Sequence, residues 1–443
     1  MRRILVWPAF AAALALALPT HGDDAAGSAP GLKFTLAEAE SYALRNHPRM
    51  ASSQLTADAV RQQIREARSA FFPQIYGEST SVYAPYDNQT GQGTRASALG
   101  GLNNPTIFPR QSDGIVVDQL LTDFGHTYDL TESARFRATA AGDRVNAAAA
   151  ITVLEVDRAY FDVLRAQAVL HVADETVKTR QTVFDHVSVL VKNKLRSTLD
   201  QSFDEVALSQ ARLLLIEAKS SVSQSEAALS TALGFADAQH FDLADEPMNL
   251  ALTPDAEGLI ASALHQRPDL EALRDDAFAA KRFADAQRAD ELPKITAMGA
   301  AGVNPVANDA VLNHEYYAAG VNVEIPLATG GNLDAKADEA RLLQRAADAN
   351  VIDSQNAISR DVRVAWLNLQ TAKERLGVTA DLVKSSSEAQ RLADTQYRLG
   401  TTSVVEFTQA ELNFTEAQLQ DTQARFDFQV DRALLNFSIG VWR

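Results

Sequence analysis

The chain has 443 residues, 46% of them hydrophobic, with 14 prolines, no cysteine and a formal net charge of -16. A chain of that length buries ample core, but without cysteine it carries neither disulfides nor a lipid-modified N-terminal cysteine, so packing alone holds it together. The acidic balance argues against nucleic acid and anionic lipid surfaces as partners.

Met1 to Gly22 joins Arg2 and Arg3 to an apolar run from Ile4 to Leu18 and ends in small residues, the pattern of a secretory signal peptide. Asp23 to Leu32 reads as a short leader. The spacing then predicts a helix from Leu36 to Arg45 and a second one opened by Pro48, which suits a helix start. Pro73 closes that helix, and Gln74 to Tyr86 reads as a weak strand. Beyond a long loop at Pro85 to Ser112, Ile115, Val117 and Leu121 mark one apolar strand face, with Gln119 breaking it and Asp118 on the other.

After Asp123-Phe124-Gly125 about seventy residues run without proline to Asn193, which at helical rise extends about 100 Å. Every seventh residue from Val156 is apolar: Val156, Val163, Leu170, Val177, Phe184 and Val191. A companion line reads Ala159, Ala166, Ala173, Arg180 and Val187, small and apolar with one exception. Such heptads describe a coiled-coil seam. The run breaks at Lys194 to Leu199, and Leu208, Leu215, Val222 and Leu229 form a second seam, so the helix folds back. Ser197 or Thr198 suits the N-cap, with Asp200 near the positive helix end.

Phe235 to Pro254 has no helical period and reads as a connecting segment. From residue 255 the chain is written a second time. One constant shift aligns Ala43, Pro48, Arg68 and Pro73 with Ala263, Pro268, Arg288 and Pro293, and another aligns Gly114, Gly125, Val156, Ala159 and Ser197 with Gly320, Gly331, Val362, Ala365 and Ser403. The returning strand of the second copy is clearer. Tyr317, Ala319, Val321, Val323, Ile325 and Leu327 alternate with Ala318, Gly320, Asn322, Glu324 and Pro326. A greasy face opposite Asp118 and Glu324 is the pattern of a membrane β-barrel with a wet lumen. Four strands cannot close a barrel, so several chains must share one. The expected division is a signal peptide at 1–22, a first repeat at 23–234, a connecting segment at 235–254 and a second repeat at 255–443. The fold class is mainly α with a small β part, built on long coiled-coil hairpins.

The eight histidines are scattered without metal-ligand spacing, and no cofactor, metal or catalytic constellation is expected. Gly91-Gln92-Gly93 reads as a loop, and His47 and His265 as turn residues. No GxxxxGK[ST] loop is present, so any transport is passive. Asp200 and Glu406 occupy the same repeat position in the first turn of a returning helix, where the dipole alone explains a carboxylate. If several chains bring these turns to one axis, Glu406 instead forms a carboxylate ring that narrows a pore.

The order of elements, the double writing, Leu36-Ala37-Glu38-Ala39 with Asn46-His47-Pro48, the Phe72-Pro73 switch, the turns Asp123-Phe124-Gly125 and Thr329-Gly330-Gly331, and Tyr397-Arg398-Leu399-Gly400-Thr401-Thr402-Ser403 together resemble the TolC family of outer-membrane efflux ducts. The resemblance implies a homotrimer in outer-membrane lipid, a twelve-stranded barrel with four strands per chain, and a periplasmic α-barrel. It further implies docking to a periplasmic adaptor and an inner-membrane pump. It places the docking tips at Arg398, Leu399 and Gly400 and at Lys194, Leu195 and Arg196, the latter lacking the glycine. It places the aperture gate at Asp200, Glu406, Gln409 and Tyr397, whose hydroxyl would hold a neighbouring helix; Gln409 stands where the family has an acid. The competing readings are a periplasmic coiled-coil adaptor without a pore of its own, and an enzyme, for which no polar constellation is found.

Overall fold

The computed structural model describes residues 31–82, 110–251, 255–303 and 315–442. The signal peptide, most of the leader, the Gly91-Gln92-Gly93 segment and nearly all of the long loop at Pro85 to Ser112 lie outside these residues.

The chain begins with β1 (Leu32–Phe34), α1 (Leu36–Asn46) and α2 (Pro48–Ser69). Thr35 and Glu38 form a capping box at the start of α1, and the His47 ring accepts from the Arg49 amide at the start of α2, which makes His47 a cap rather than a ligand. Strands β2 (Gln74–Val82) and β3 (Arg110–Thr122) follow, then the 67-residue α3 (His126–Lys192) and α4 (Thr198–Leu233). After β4 (Phe241–Leu243) the second half has α5 (Ala256–Gln266), α6 (Pro268–Ala289), β5 (Lys294–Val303), β6 (Glu315–Glu324), α7 (Asn332–Arg398, also 67 residues) and α8 (Val404–Ser438). Ile325 and Leu327 therefore lie beyond the end of β6.

β1 and β4 pair in parallel, so the connecting segment is tied to the start of the chain rather than standing as a domain of its own. The Tyr160 hydroxyl donates to the Ala244 carbonyl at 2.7 Å from the core that α1, α3 and α4 share, built on Ala39, Ala43, Val156, Val163, Leu229 and Leu233. The second half repeats this core with Ile260, Ala263, Leu270, Ile358 and Val362.

The four longer strands form one antiparallel sheet in the order β2-β3-β5-β6. Directly paired residues share a face, so Ile75, Ile115, Val117, Tyr317, Val321 and Val323 lie on one side, and Gln74, Asp118, Thr296, Lys294, Asn322 and Glu324 on the other. The first face is exposed, with Tyr317 91% accessible. Gln119 sits on this apolar face without leaving its amide bare: its Nε2 donates to the carbonyls of Leu120 (2.7 Å) and Phe71 (3.1 Å). The register shifts between Leu120 and Thr122, a bulge that takes Leu121 out of the alternation.

Towards the sheet the long helices form a layer in which α3 packs between α2 and α6, and α6 on α7. Towards the tips α4 packs on α3, α3 on α8, and α8 on α7. Both layers, like the sheet, are open at their two sides: β2, α2 and α4 on one, β6 and α7 on the other. Along α3 the companion line is the deeper one. Ala159, Ala166, Ala173, Arg180 and Val187 are all buried, whereas of the heptad from Val156 only Val156 and Val163 are. The reason is that α3 is sandwiched between neighbours on both sides, so small residues face the tightest approach and the larger ones lie beside it. Among the described residues no helix is long and apolar enough to cross a membrane.

Candidate functional site

The ends of the two helical hairpins, the tips, have nearly the same backbone. In the first, Lys194 takes φ +63° and the Leu195 amide donates to the Leu190 carbonyl at 2.9 Å; in the second, Gly400 takes φ +72° and the Thr401 amide donates to the Gln396 carbonyl at 2.9 Å. This is the left-handed helix end that satisfies the last carbonyls. The counterpart of Gly400 is thus Lys194, and Arg398-Leu399-Gly400 corresponds to Lys192-Asn193-Lys194, two residues from the pairing with Lys194-Leu195-Arg196. A side chain in that conformation costs about 1 kcal/mol, so the first tip keeps the shape without the glycine.

Each returning helix starts with a serine cap. Ser197 accepts from the Leu199 amide at 3.1 Å. Ser403 forms a full capping box: its hydroxyl accepts from the Glu406 amide at 3.2 Å, and the Glu406 carboxylate accepts from the Ser403 amide at 3.3 Å and from the Thr402 hydroxyl. These bonds hold the exposed Glu406 carboxyl below its usual range, the Thr402 bond first. Asp200 lies 4.0 Å from Arg196 and is largely covered. Gln409 is exposed and donates to Asn413 at 2.8 Å. Leu195 and Leu399 are the bare apolar points of the tips, each at least 70% accessible, and Arg398 is exposed with its guanidinium on Asp394.

Two of the tip residues are engaged within the single chain. Arg196 does not point out to a partner: its guanidinium lies 4.3 Å from the centre of the Tyr397 ring and donates to the Tyr397 carbonyl at 2.8 Å, so the first tip grips the second within one chain. Tyr397 does not reach a neighbouring helix through its hydroxyl. It is buried, its ring stacks on Phe407 with centres 4.8 Å apart, and its hydroxyl has no hydrogen-bond partner. Burial first, then the nearby Asp204 charge, pushes this phenol up to about 12. Stacking, not hydrogen bonding, holds Tyr397, because Phe407 and Val404 of α8 and Val187 of α3 close around it.

Behind the tips is a charged cluster that the sequence reading did not assemble. Arg180 of α3 and Glu411 of α8 form an ion pair with side chains about 5% accessible, and Asp204 of α4 is 2% accessible. The visible sign was Arg180 itself, the one charged residue in an otherwise small apolar line.

At the other end of the helices Asp118 and Glu324 lie on one face of the sheet and line a concavity of about 740 Å³ with Glu66, Asp123, Asp290 and Lys294. Glu324 is paired in register with Lys294, so this face carries both signs. Among the described residues no group of side chains is arranged to hold a metal ion.

The chain matches the family model described as outer membrane efflux protein over residues 40–235 and 259–441. It is 26% identical over 419 residues to the outer membrane protein TolC of Vibrio cholerae, covering 91% of this chain and 90% of that one. It is 25% identical over 410 residues to the toluene efflux pump outer membrane protein TtgC of Pseudomonas putida, covering 89% and 81%. A membrane protein of Pseudomonas aeruginosa has the same fold, with a TM-score of 0.81 at 20% identity over 91% of this chain and 93% of that one. The two matched segments take in both halves of the structure, each with its long hairpin, and the chain belongs to the outer membrane efflux protein family, the family of TolC.

Proposed function

We propose that the chain is the outer-membrane duct of a tripartite efflux system: a homotrimer in which three four-stranded sheets close one twelve-stranded barrel, continued by a long helical tube in the periplasm. One observation carries this reading. Sheet and helical layers end in open edges on the same two sides, β2 with α2 and α4, and β6 with α7. An open sheet edge in lipid leaves backbone groups unsatisfied at several kcal/mol each, and side-by-side repetition of one chain removes every edge at once. Exposed apolar residues on the outer helices fit the same arrangement, Leu199, Phe203, Val206, Leu213 and Ile216 on α4, and Leu342, Ile352, Val364 and Val378 on α7.

The outward sheet face with Tyr317, Val321 and Val323 meets lipid, and Asp118 and Glu324 line the water-filled side. Helices about 100 Å long, at 67 residues each, carry the tube through most of a periplasm. Conduction is passive, powered by an inner-membrane pump through a periplasmic adaptor. The adaptor docks on the exposed tip residues Lys194, Leu195, Arg398, Leu399 and Gly400, and the aperture is lined by Asp200, Glu406 and Gln409. An adaptor without a pore of its own does not fit the family to which the chain belongs.

Planar-bilayer recording of the detergent-extracted protein tests the pore: discrete conductance steps support it, and a silent bilayer at saturating protein contradicts it. Docking is tested by Gly400→Trp, which should abolish export in cells while the protein stays in the outer membrane; unchanged export removes the tip from the docking role.

A further inference from the structure

Just behind the tips, one residue from each long helix converges in the interior: Arg180 of α3, Asp204 of α4, Tyr397 of α7 and Glu411 of α8. The guanidinium of Arg180 is committed to Glu411. Neither carboxylate oxygen of Asp204 has a hydrogen-bond partner, and neither has the Tyr397 hydroxyl. Two carboxyls thus share the Arg180 guanidinium in a buried site, and when both are ionised the Asp204 charge is buried without a hydrogen-bond donor. Such a charge destabilises the packing around it until a proton neutralises it.

We propose that the Arg180–Asp204–Glu411 cluster is a proton-operated latch, in which one proton taken up by the two carboxyls tightens the second hairpin against the first and its loss loosens the tips. The proton belongs to the pair: nothing donates to Asp204, while burial and the Asp204 charge raise Glu411 despite its bond to Arg180. Burial pushes Asp204 up to about 6 and Glu411 up to about 7, with Arg180 opposing both. The other charges facing the site are Asp200 and Arg196 beside Asp204, and Asp394 beside Glu411; the two aspartates raise the carboxyls and Arg196 lowers Asp204. A carboxyl whose folded pKa lies above its unfolded value binds its proton on folding, so the packing is most stable at acid pH. Stability falls as pH rises from about 4, the unfolded value, to about 7.

Hydrogen exchange of the full-length protein in detergent, followed from pH 8 to pH 5.5 and normalised for intrinsic rates, reads the latch at the amides of Lys192 to Asp204 and Tyr397 to Glu411. Protection should rise as pH falls, by up to about tenfold per pH unit for one proton. Asp204→Asn, which imitates the protonated state at nearly the same volume, should be protected already at pH 8 and show no slope. A flat wild-type profile, or a slope that Asp204→Asn retains, overturns the latch. Its consequence for transport rests on the proposed function: the open fraction of the reconstituted channel should fall over the same pH window. An exchange slope with no conductance at any pH would refute the duct and leave the latch standing, and conductance without the slope would do the reverse.

Discussion

The first and second tips make the same turn and play opposite parts. The first reaches outward in sequence but folds inward in space, with Arg196 laid over Tyr397 and Asp204 sunk behind it. The second receives that grip on Tyr397 and is itself braced by the Ser403 and Glu406 capping box. Two turns of nearly the same backbone carry different side chains, which make one an arm and the other its socket. The counterpart of Arg196 is Thr402, and the counterpart of Arg180 is Ser386, whose hydroxyl donates to the carbonyls of Leu382 (2.7 Å) and Val383 (3.2 Å) in its own helix. The difference between the copies therefore lies in charge placement rather than in fold.

The largest effect expected from breaking this asymmetry is at Arg180. Arg180→Ala leaves two carboxyls buried without a cation and should destabilise the tip region by about 3–5 kcal/mol, read as faster amide exchange in α8. Its counterpart Ser386→Ala should cost far less, since only local bonding to its own helix backbone is lost. The Arg180→Ala deficit should shrink between pH 8 and pH 5.5, because both carboxyls are raised by burial and lose their charge in that window. A deficit independent of pH would place the carboxyls outside the effect.

Arg196→Ala comes next. It removes a ring contact and a charge-assisted bond to the Tyr397 carbonyl, together about 1–3 kcal/mol, and should raise exchange in both tips at once. Tyr397→Phe sharpens the same point from the other side. It deletes a buried hydroxyl without a partner, so tip protection should be unchanged or slightly higher, whereas a gate held by that hydroxyl would loosen. Ser403→Ala should cost about 1 kcal/mol and exceed Ser197→Ala, because it dismantles a two-way box rather than a single bond. The smallest pair exchanges the turn residues: Lys194→Gly should stabilise the first tip, and Gly400→Ala should destabilise the second, each by about 1 kcal/mol.

Most of the fold is legible in the sequence because it is periodic. The seven-residue repeats, Pro48 and Pro268 at helix starts, and Gly125 and Gly331 before the long helices are local signals that survive into the structure. The pairing of β1 with β4 was not legible, since three-residue strands carry no period. The tip site was half legible. Asp200, Tyr397 and Glu406 were singled out by position, but what they contact depends on side-chain direction, which spacing does not fix: Arg196 turns in and Glu406 closes its own cap. The Arg180, Asp204 and Glu411 cluster joins three helices, and only the lone charge in the seam of α3 hinted at it. Asp118 and Glu324 were placed correctly on one strand face because a period of two leaves no freedom.

The central claim is that open edges on the two sides of one chain are closed by two further copies of it. Native mass spectrometry of the full-length protein released from the outer membrane in mild detergent tests this most directly. The account predicts a single species of three chains that dissociates only on heating; a monodisperse monomer, stable in solution without detergent, would contradict it.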